Sequence, residues 1–211
     1  MPAPRPPTLV LLVRHGQTPT TGVVLPGRAP GLHLSAAGRR QADAVAGRIG
    51  RLAKVAAVYA SPLERARETA APIARARRLA VRVERDLADL DVGRWTGQAL
   101  RRLRRKPEWQ AIQRHPSGFA FPGGESFTGM QARVASALAR LVERHPGMTI
   151  VAVSHADPIK AAVALALGAP LDHFQRIAVA PGSVTAIVYR DLGPLVLAVN
   201  SLDGGLAGLP G

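Results

Sequence analysis

The chain has no cysteine among its 211 residues. Disulfides, thiolate metal sites and a cysteine nucleophile are therefore excluded. Aromatic residues make up only 4%, and they do not interleave with basic residues as a single-strand nucleic-acid platform requires. No apolar run approaches the length of a membrane span. The opening Met1-Pro2-Ala3-Pro4-Arg5-Pro6-Pro7 has no apolar core, is not a secretory signal, and leaves a cytoplasmic location as the expectation. Acidic residues are scarce: 14 Asp and Glu stand against 28 Lys and Arg, a formal net charge of +14. That excess would suit nucleic acid, an acidic membrane surface or an anionic substrate. The basic residues are mostly arginine and are spread through the chain, a pattern that arginine-rich genomes also produce. There is no internal repeat, low-complexity tract or interdomain linker.

Hydrophobic residues form 47% of the chain, an ordinary share for a globular domain. One domain over residues 1–211 is expected, with residues 1–7 and about 203–211 as flexible tails. The buried run Leu9-Val10-Leu11-Leu12-Val13 reads as a strand that stops at Arg14-His15-Gly16. A Gly, Pro and Thr-rich loop follows over 19–31. Ser35 then suits a helix N-cap, with Ala42, Val45, Ala46, Ile49 and Leu52 on the core face.

A second buried strand, Val55 to Ala60, runs into Ser61-Pro62-Leu63-Glu64-Arg65. Ser61 is expected as N-cap, Pro62 as first helical residue and Glu64 as the capping-box partner, placing Arg65 in the first turn. A short strand is expected near 79–83, then Asp89 and Asp91 ahead of Gly93-Arg94-Trp95-Thr96-Gly97. The basic run 101–106 reads as a solvated helix face. Pro122-Gly123-Gly124-Glu125-Ser126 precedes a helix whose core face is Phe127, Met130, Val134, Leu138 and Leu141. Thr149 to Ser154 is a further buried strand ending at His155, and Asp157-Pro158 opens another helix. The last strands, 184–189 and 195–199, join around Gly193-Pro194. Strands alternating with helices predict a largely parallel sheet covered on both faces, a three-layer α/β/α sandwich.

Arg14-His15, Arg65 and His155 each follow a different buried strand. In a parallel sheet these ends share one edge, where ligands of open α/β folds collect. Two guanidiniums and two imidazoles in one pocket suit a phosphoryl group. The arginines disfavour a charged imidazolium, so His15 is expected neutral and nucleophilic. Arg14, Arg65 and His155 would stabilise charge on the phosphoryl oxygens. Gly16 is expected to let backbone approach the ligand.

Five stretches in order, Leu12-Val13-Arg14-His15-Gly16-Gln17-Thr18, Ser61-Pro62-Leu63-Glu64-Arg65-Ala66, Gly93-Arg94-Trp95-Thr96-Gly97, Pro122-Gly123-Gly124-Glu125-Ser126 and Val153-Ser154-His155, resemble the histidine phosphatase superfamily, the phosphoglycerate mutase-like enzymes. Within it the pattern is nearest to an actinobacterial-type phosphomutase/phosphatase group. The resemblance implies a phosphoglycerate mutase-like fold. It also implies His15 as the phosphorylated nucleophile and Arg14, Arg65 and His155 as phosphate-pocket residues.

The chain departs from the family pattern twice. Asp89 stands where the family carries a glutamate proton donor, and Thr21 where many members carry an asparagine. Thr21 is retained as a phosphate hydrogen-bond donor. Arg28, in the loop over the site, is equally weighted between phosphate contact and solvent. Asp89 is expected as the acid, with Asp91 two residues on. Asp157 is the rival, read as a helix N-cap whose carboxyl the backbone would hold low.

The reading is a metal-independent phosphomonoesterase with no cofactor and no metal, catalytic residues His15, Asp89 and His155, and a small anionic phosphorylated substrate. A phosphoglycerate-type mutase is the alternative, disfavoured by the short 98–121 segment, which offers little chain for a lid. A non-catalytic polyanion-binding protein is the third reading. Expected partners are the substrate and, at most, a second copy in a homodimer, with neither nucleic acid nor membrane.

Overall fold

The computed structural model describes residues 5–203 and Leu206. In chain order the elements are β1 (Thr8–Arg14), β2 (Val24–Leu25), α1 (Ala36–Gly50), β3 (Ala57–Ala60), α2 (Glu64–Ala76), β4 (Val81–Val83), β5 (Gln98–Ala99), α3 (Leu100–Leu103), α4 (Pro107–Arg114), α5 (Phe127–Arg144), β6 (Thr149–Ser154), α6 (Ala156–Ala166), β7 (Val184–Arg190) and β8 (Gly193–Ser201).

Six strands form one sheet in the order β4-β3-β6-β1-β7-β8. The four strands β4, β3, β6 and β1 run parallel; β7 is antiparallel to β1, and β8 returns as the second arm of a hairpin. Alternation along β1 shows how the sheet separates two cores. Leu9, Leu11 and Val13 point to the α1 and α2 side, joining Val45, Ile49 and Ile73. Val10 and Leu12 point to the other side, toward Met130, Leu138 and Ile159. Burying both faces explains why β1 and β6 read as continuous apolar runs rather than alternating ones. The expected three layers are present.

The smaller pairing of β2 with β5 has two residues on each side and left no periodic signal in the sequence. The irregular stretch around 90–126 is held by an aromatic cluster. Trp95, only 4% exposed, meets Phe121 edge-on at 5.4 Å, and Phe121 leads through Phe127 to Phe174. Four arginines of the basic run, Arg101, Arg102, Arg104 and Arg105, are exposed as expected for a solvated face.

Parts of both expected tails are described. The Pro6 carbonyl accepts a bond from Gly147 N–H at 3.1 Å, and Leu206 is buried in the α1/α2 core. The rest of the expected tails, residues 1–4, 204–205 and 207–211, lies outside the described residues. No helix among the described residues is long and apolar enough to cross a membrane.

Candidate active site

The parallel registers set the site. Arg14 lies opposite Ser154, and Ala60 opposite Val153, so β1, β6 and β3 end nearly flush with β6 in the middle. The next residues of those strands are His15, His155 and Ser61. Backbone bonds extend the ladder one step past the strands: His15 N–H donates to Ser154 O at 3.0 Å, and Ser61 N–H to Val153 O at 2.9 Å. Residues far apart in sequence thereby meet at one edge.

His15 is 6% exposed, and its ring centroid lies 5.0 Å from that of His155. Its Nδ1 sits 2.7 Å from Gly16 O. A carbonyl can only accept, so Nδ1 carries the hydrogen and Nε2 keeps the lone pair. Burial, then the neighbouring His155, Arg65 and Arg14, hold this imidazole well below its ordinary pKa near 6.5. The same causes, burial first and then Arg65 and Arg14, depress His155, which is 1% exposed.

Arg65 lies in the first turn of α2 and is wholly buried. Its Nη2 donates to Gly27 O at 2.8 Å and to Asp89 Oδ2 at 2.9 Å. Its Nε and Nη1, together with Nε of Arg14 and Nδ1 of His155, are buried with no partner among the described residues. Buried donors are ordinarily satisfied. Four such atoms belong to side chains of this one sheet edge. Arg14 spends its Nη1 on Val179 O at 2.6 Å, and burial lowers its pKa.

The loop after His15 packs closely on α1. A Cβ on Gly16 would lie 2.4 Å from Gly38 O, and one on Gly38 would lie 2.0 Å from Gln17 O. Gly16 thus lets the start of helix α1 approach closely. Gly16 N–H also donates to Thr69 Oγ1 at 3.0 Å, tying the loop after His15 to α2.

Among the carboxylates of the described residues, Asp89 pairs with both Arg65 and His155. Its Oδ2 lies 2.9 Å from Arg65 and 3.4 Å from His155 Nδ1. Asp91 instead accepts from Gly93 N–H at 3.0 Å and so holds a turn. Asp157 is not an N-cap: α6 begins with His155 as its cap, and the Asp157 side chain faces Lys160 at 3.7 Å. Burial pushes its carboxyl up, opposite to the lowering expected of a capping aspartate.

Two further residues are held by protein neighbours. Thr21 Oγ1 accepts from Thr18 N–H at 2.9 Å and lies 3.1 Å from Thr18 Oγ1, closing its own turn. Arg28 donates from Nε to Asp89 O at 2.8 Å and from Nη2 to Glu125 at 2.8 Å. It braces the loop of Asp89. Nor is Ser61 an N-cap: α2 starts at Glu64 with Leu63 as cap and no side-chain bond.

Sequence reasoning missed Glu125 and Arg133. Arg133 donates to Asp86 O, Ala88 O and Asp89 O at 2.7, 2.9 and 3.0 Å, and forks onto both oxygens of Glu125. Between them Arg28, Glu125 and Arg133 hold an irregular segment that has no ladder of its own. Arg133 borders the apolar face of α5, where a single arginine carries no signal in one sequence. Among the described residues no cluster of three His, Asp or Glu is arranged to hold a metal ion. A separate cavity of about 790 Å³ opens at the opposite end of β1, among Pro6, Thr8, Leu138, Val142, Leu165 and Tyr189. Burial there pushes the Tyr189 hydroxyl up to about 12.

Residues 10–202 match the model of the histidine phosphatase superfamily, branch 1, and the chain belongs to that family. It is 38% identical over 198 residues to the bifunctional protein Rv2228c of Mycobacterium tuberculosis, covering 92% of this chain but 54% of that relative. The chain thus spans about half the length of that protein. It is 32% identical to phosphoserine phosphatase 1 of Hydrogenobacter thermophilus over 90% of this chain and 91% of the other. Among solved structures, a mycobacterial glucosyl-3-phosphoglycerate phosphatase superposes with a TM-score of 0.84 at 25% identity, covering 92% of this chain and 99% of the other.

Proposed function

We propose that the chain is a phosphomonoesterase that works through a phosphohistidine on His15, without a metal, on a small anionic ester. The observation that carries this reading is the pair of features at His15 and Arg65. One imidazole has its Nδ1 committed to Gly16 O, freeing Nε2, and it faces guanidinium donors that are buried without partners.

The steps balance on the residues present. The Nε2 lone pair attacks phosphorus and the bond to the ester oxygen breaks. Asp89, ionised beside Arg65 at rest, takes up a proton from solvent as the substrate's negative charge arrives and supplies it to the leaving oxygen. Arg14, Arg65 and His155 stabilise the charge on the transferring oxygens. Water then attacks the phosphohistidine and gives its proton to the Asp89 carboxylate, releasing phosphate and restoring His15. Relatives named for phosphoserine and for glucosyl-3-phosphoglycerate, together with the arginine excess, support a small anionic substrate. Hydrolysis is favoured over mutase transfer because 98–121 is taken up by the short helices α3 and α4 rather than a long enclosing segment.

The test is hydrolysis of an aryl phosphate by the purified chain with and without EDTA, beside His15→Ala. Activity should survive the chelator and vanish in the variant, and acid quench should trap an acid-labile phosphoprotein. Activity lost to EDTA and restored by magnesium defeats the metal-free mechanism. Isomerisation of phosphoglycerates much faster than phosphate release replaces hydrolysis with transfer.

A further inference from the structure

We propose that Ser61 fixes the tautomer of His155, keeping the imidazole hydrogen on Nδ1, the nitrogen that faces the phosphate pocket. Ser61 is then a positioning residue acting through His155, and the proposal rests on the reading of that pocket given above.

Ser61 is fully buried, and its backbone is anchored to Val153. Its hydroxyl oxygen lies 2.7 Å from His155 Nε2 and accepts the Leu63 N–H at 3.3 Å. With that N–H already aimed at a lone pair, the hydroxyl hydrogen has one acceptor among the described residues, Nε2. A hydroxyl that donates to Nε2 requires that nitrogen to be unprotonated. In the neutral ring the hydrogen must then sit on Nδ1. That nitrogen is buried, has no hydrogen-bond partner, and lies 3.4 Å from Asp89 Oδ2.

The opposite tautomer is worse at both ends. Protonated Nε2 would donate to Ser61 and leave the hydroxyl hydrogen without an acceptor in a fully buried site. It would also turn the Nδ1 lone pair toward the Asp89 carboxylate and toward the oxygens of any bound phosphate. Burial and the adjacent arginines keep His155 neutral, so the tautomer decides whether it is a donor or an acceptor there. Held as Nδ1–H, His155 gives a hydrogen bond to a phosphoryl oxygen without adding a positive charge beside Arg14 and Arg65.

Sequence logic points the same hydroxyl elsewhere. Ser61-Pro62 looks like a helix start, yet α2 begins at Glu64 and receives no side-chain cap. The serine is placed for the imidazole.

The test reads the tautomer directly. Uniformly ¹⁵N-histidine-labelled protein is examined by long-range ¹H–¹⁵N correlation near pH 7.5, alone and with inorganic phosphate, with His155→Gln assigning the signal. The expected spectrum has a protonated Nδ1 and a pyridine-like Nε2. Ser61→Ala should mix or invert the tautomers and lower kcat on an aryl phosphate by about 10- to 100-fold, the scale for losing the partner that orients a functional imidazole. Ser61→Thr, which keeps the hydroxyl, should retain the Nδ1–H signature. A wild-type spectrum showing Nε2–H or a doubly protonated ring overturns the proposal, and so does Ser61→Ala with unchanged tautomer and kcat. If Ser61→Ala fails to fold, the wild-type spectrum alone decides. Because the spectrum needs no turnover, a chain that shows the Nδ1–H signature yet hydrolyses no phosphate ester defeats the enzymatic reading, not the tautomer.

Discussion

Replacing Asp89 by Asn separates two roles that the pocket combines. Asp89 Oδ2 is 2.9 Å from Nη2 of Arg65, which is wholly buried. Asn keeps the shape and an acceptor but removes the charge that offsets this guanidinium. The lost increment is that of a charge-assisted bond, about 2–3 kcal/mol for a mostly buried pair. At about 2–4 °C per kcal/mol for a chain of this size, the ligand-free variant should melt about 4–12 °C lower. Phosphate should then stabilise the variant more than the native protein, because an anion restores the missing partner and no longer meets a carboxylate. In turnover the variant should lose about 10²–10⁴-fold on alkyl phosphates, whose leaving oxygen needs a proton, and much less on aryl phosphates with good leaving groups. Melting curves with increasing phosphate and a leaving-group series measure both effects. Refutation has two forms: phosphate stabilising both proteins alike, or Asp157→Asn showing the leaving-group dependence in place of Asp89→Asn.

Three other perturbations follow from the packing and the charges. Arg133→Met removes bonds to three consecutive-region carbonyls and to Glu125; it should cost about 3–5 kcal/mol in urea unfolding, as breaking a mostly buried ion pair does, and lower turnover most on poor leaving groups. Gly38→Ala puts a Cβ 2.0 Å from the Gln17 backbone oxygen in the loop after His15, and with backbone on both sides it should lower the melting temperature and kcat together. His15 and His155 are held well below 6.5 in the fold, so the unfolded chain takes up protons that the native one refuses. Stability is therefore full above about pH 6.5 and falls as pH drops below it, by up to about 1.4 kcal/mol per unit for each histidine; His155→Gln should flatten the slope in urea titrations between pH 7.5 and 5.5.

The strands and their faces were legible because both depend on short-range patterning. A buried parallel strand writes itself as an unbroken apolar run, and Leu9 to Val13 and Ile150 to Val153 do so. The meeting of Arg14, His15, Arg65 and His155 was legible for a related reason: parallel strands share a carboxyl edge, so three strand ends suffice to place four side chains. Arg28, Thr21 and Arg133 were not legible, since which of several nearby acceptors a long side chain chooses is a matter of angstroms. Thr21 closes its own turn with Thr18, and Arg28 reaches Glu125, 97 residues away.

The helix starts show a more particular limit. Capping rules are local: they assume that a serine or aspartate at a helix start has no better partner than the next backbone N–H groups. Away from the site that holds, and Ser35 and Ser126 accept from Gly38 and Gly129 at the starts of α1 and α5. At the pocket it fails twice. Helices α2 and α6 begin at the strand ends that carry Ser61 and His155, and neither receives a side-chain cap. Ser61 is drawn to an imidazole and Asp157 to a lysine. The same local signal, a serine or aspartate followed by proline after a buried strand, therefore misplaces the cap at both helices. A serine at a helix start that does not cap is thus itself informative: its hydroxyl has a better partner nearby, here the His155 imidazole.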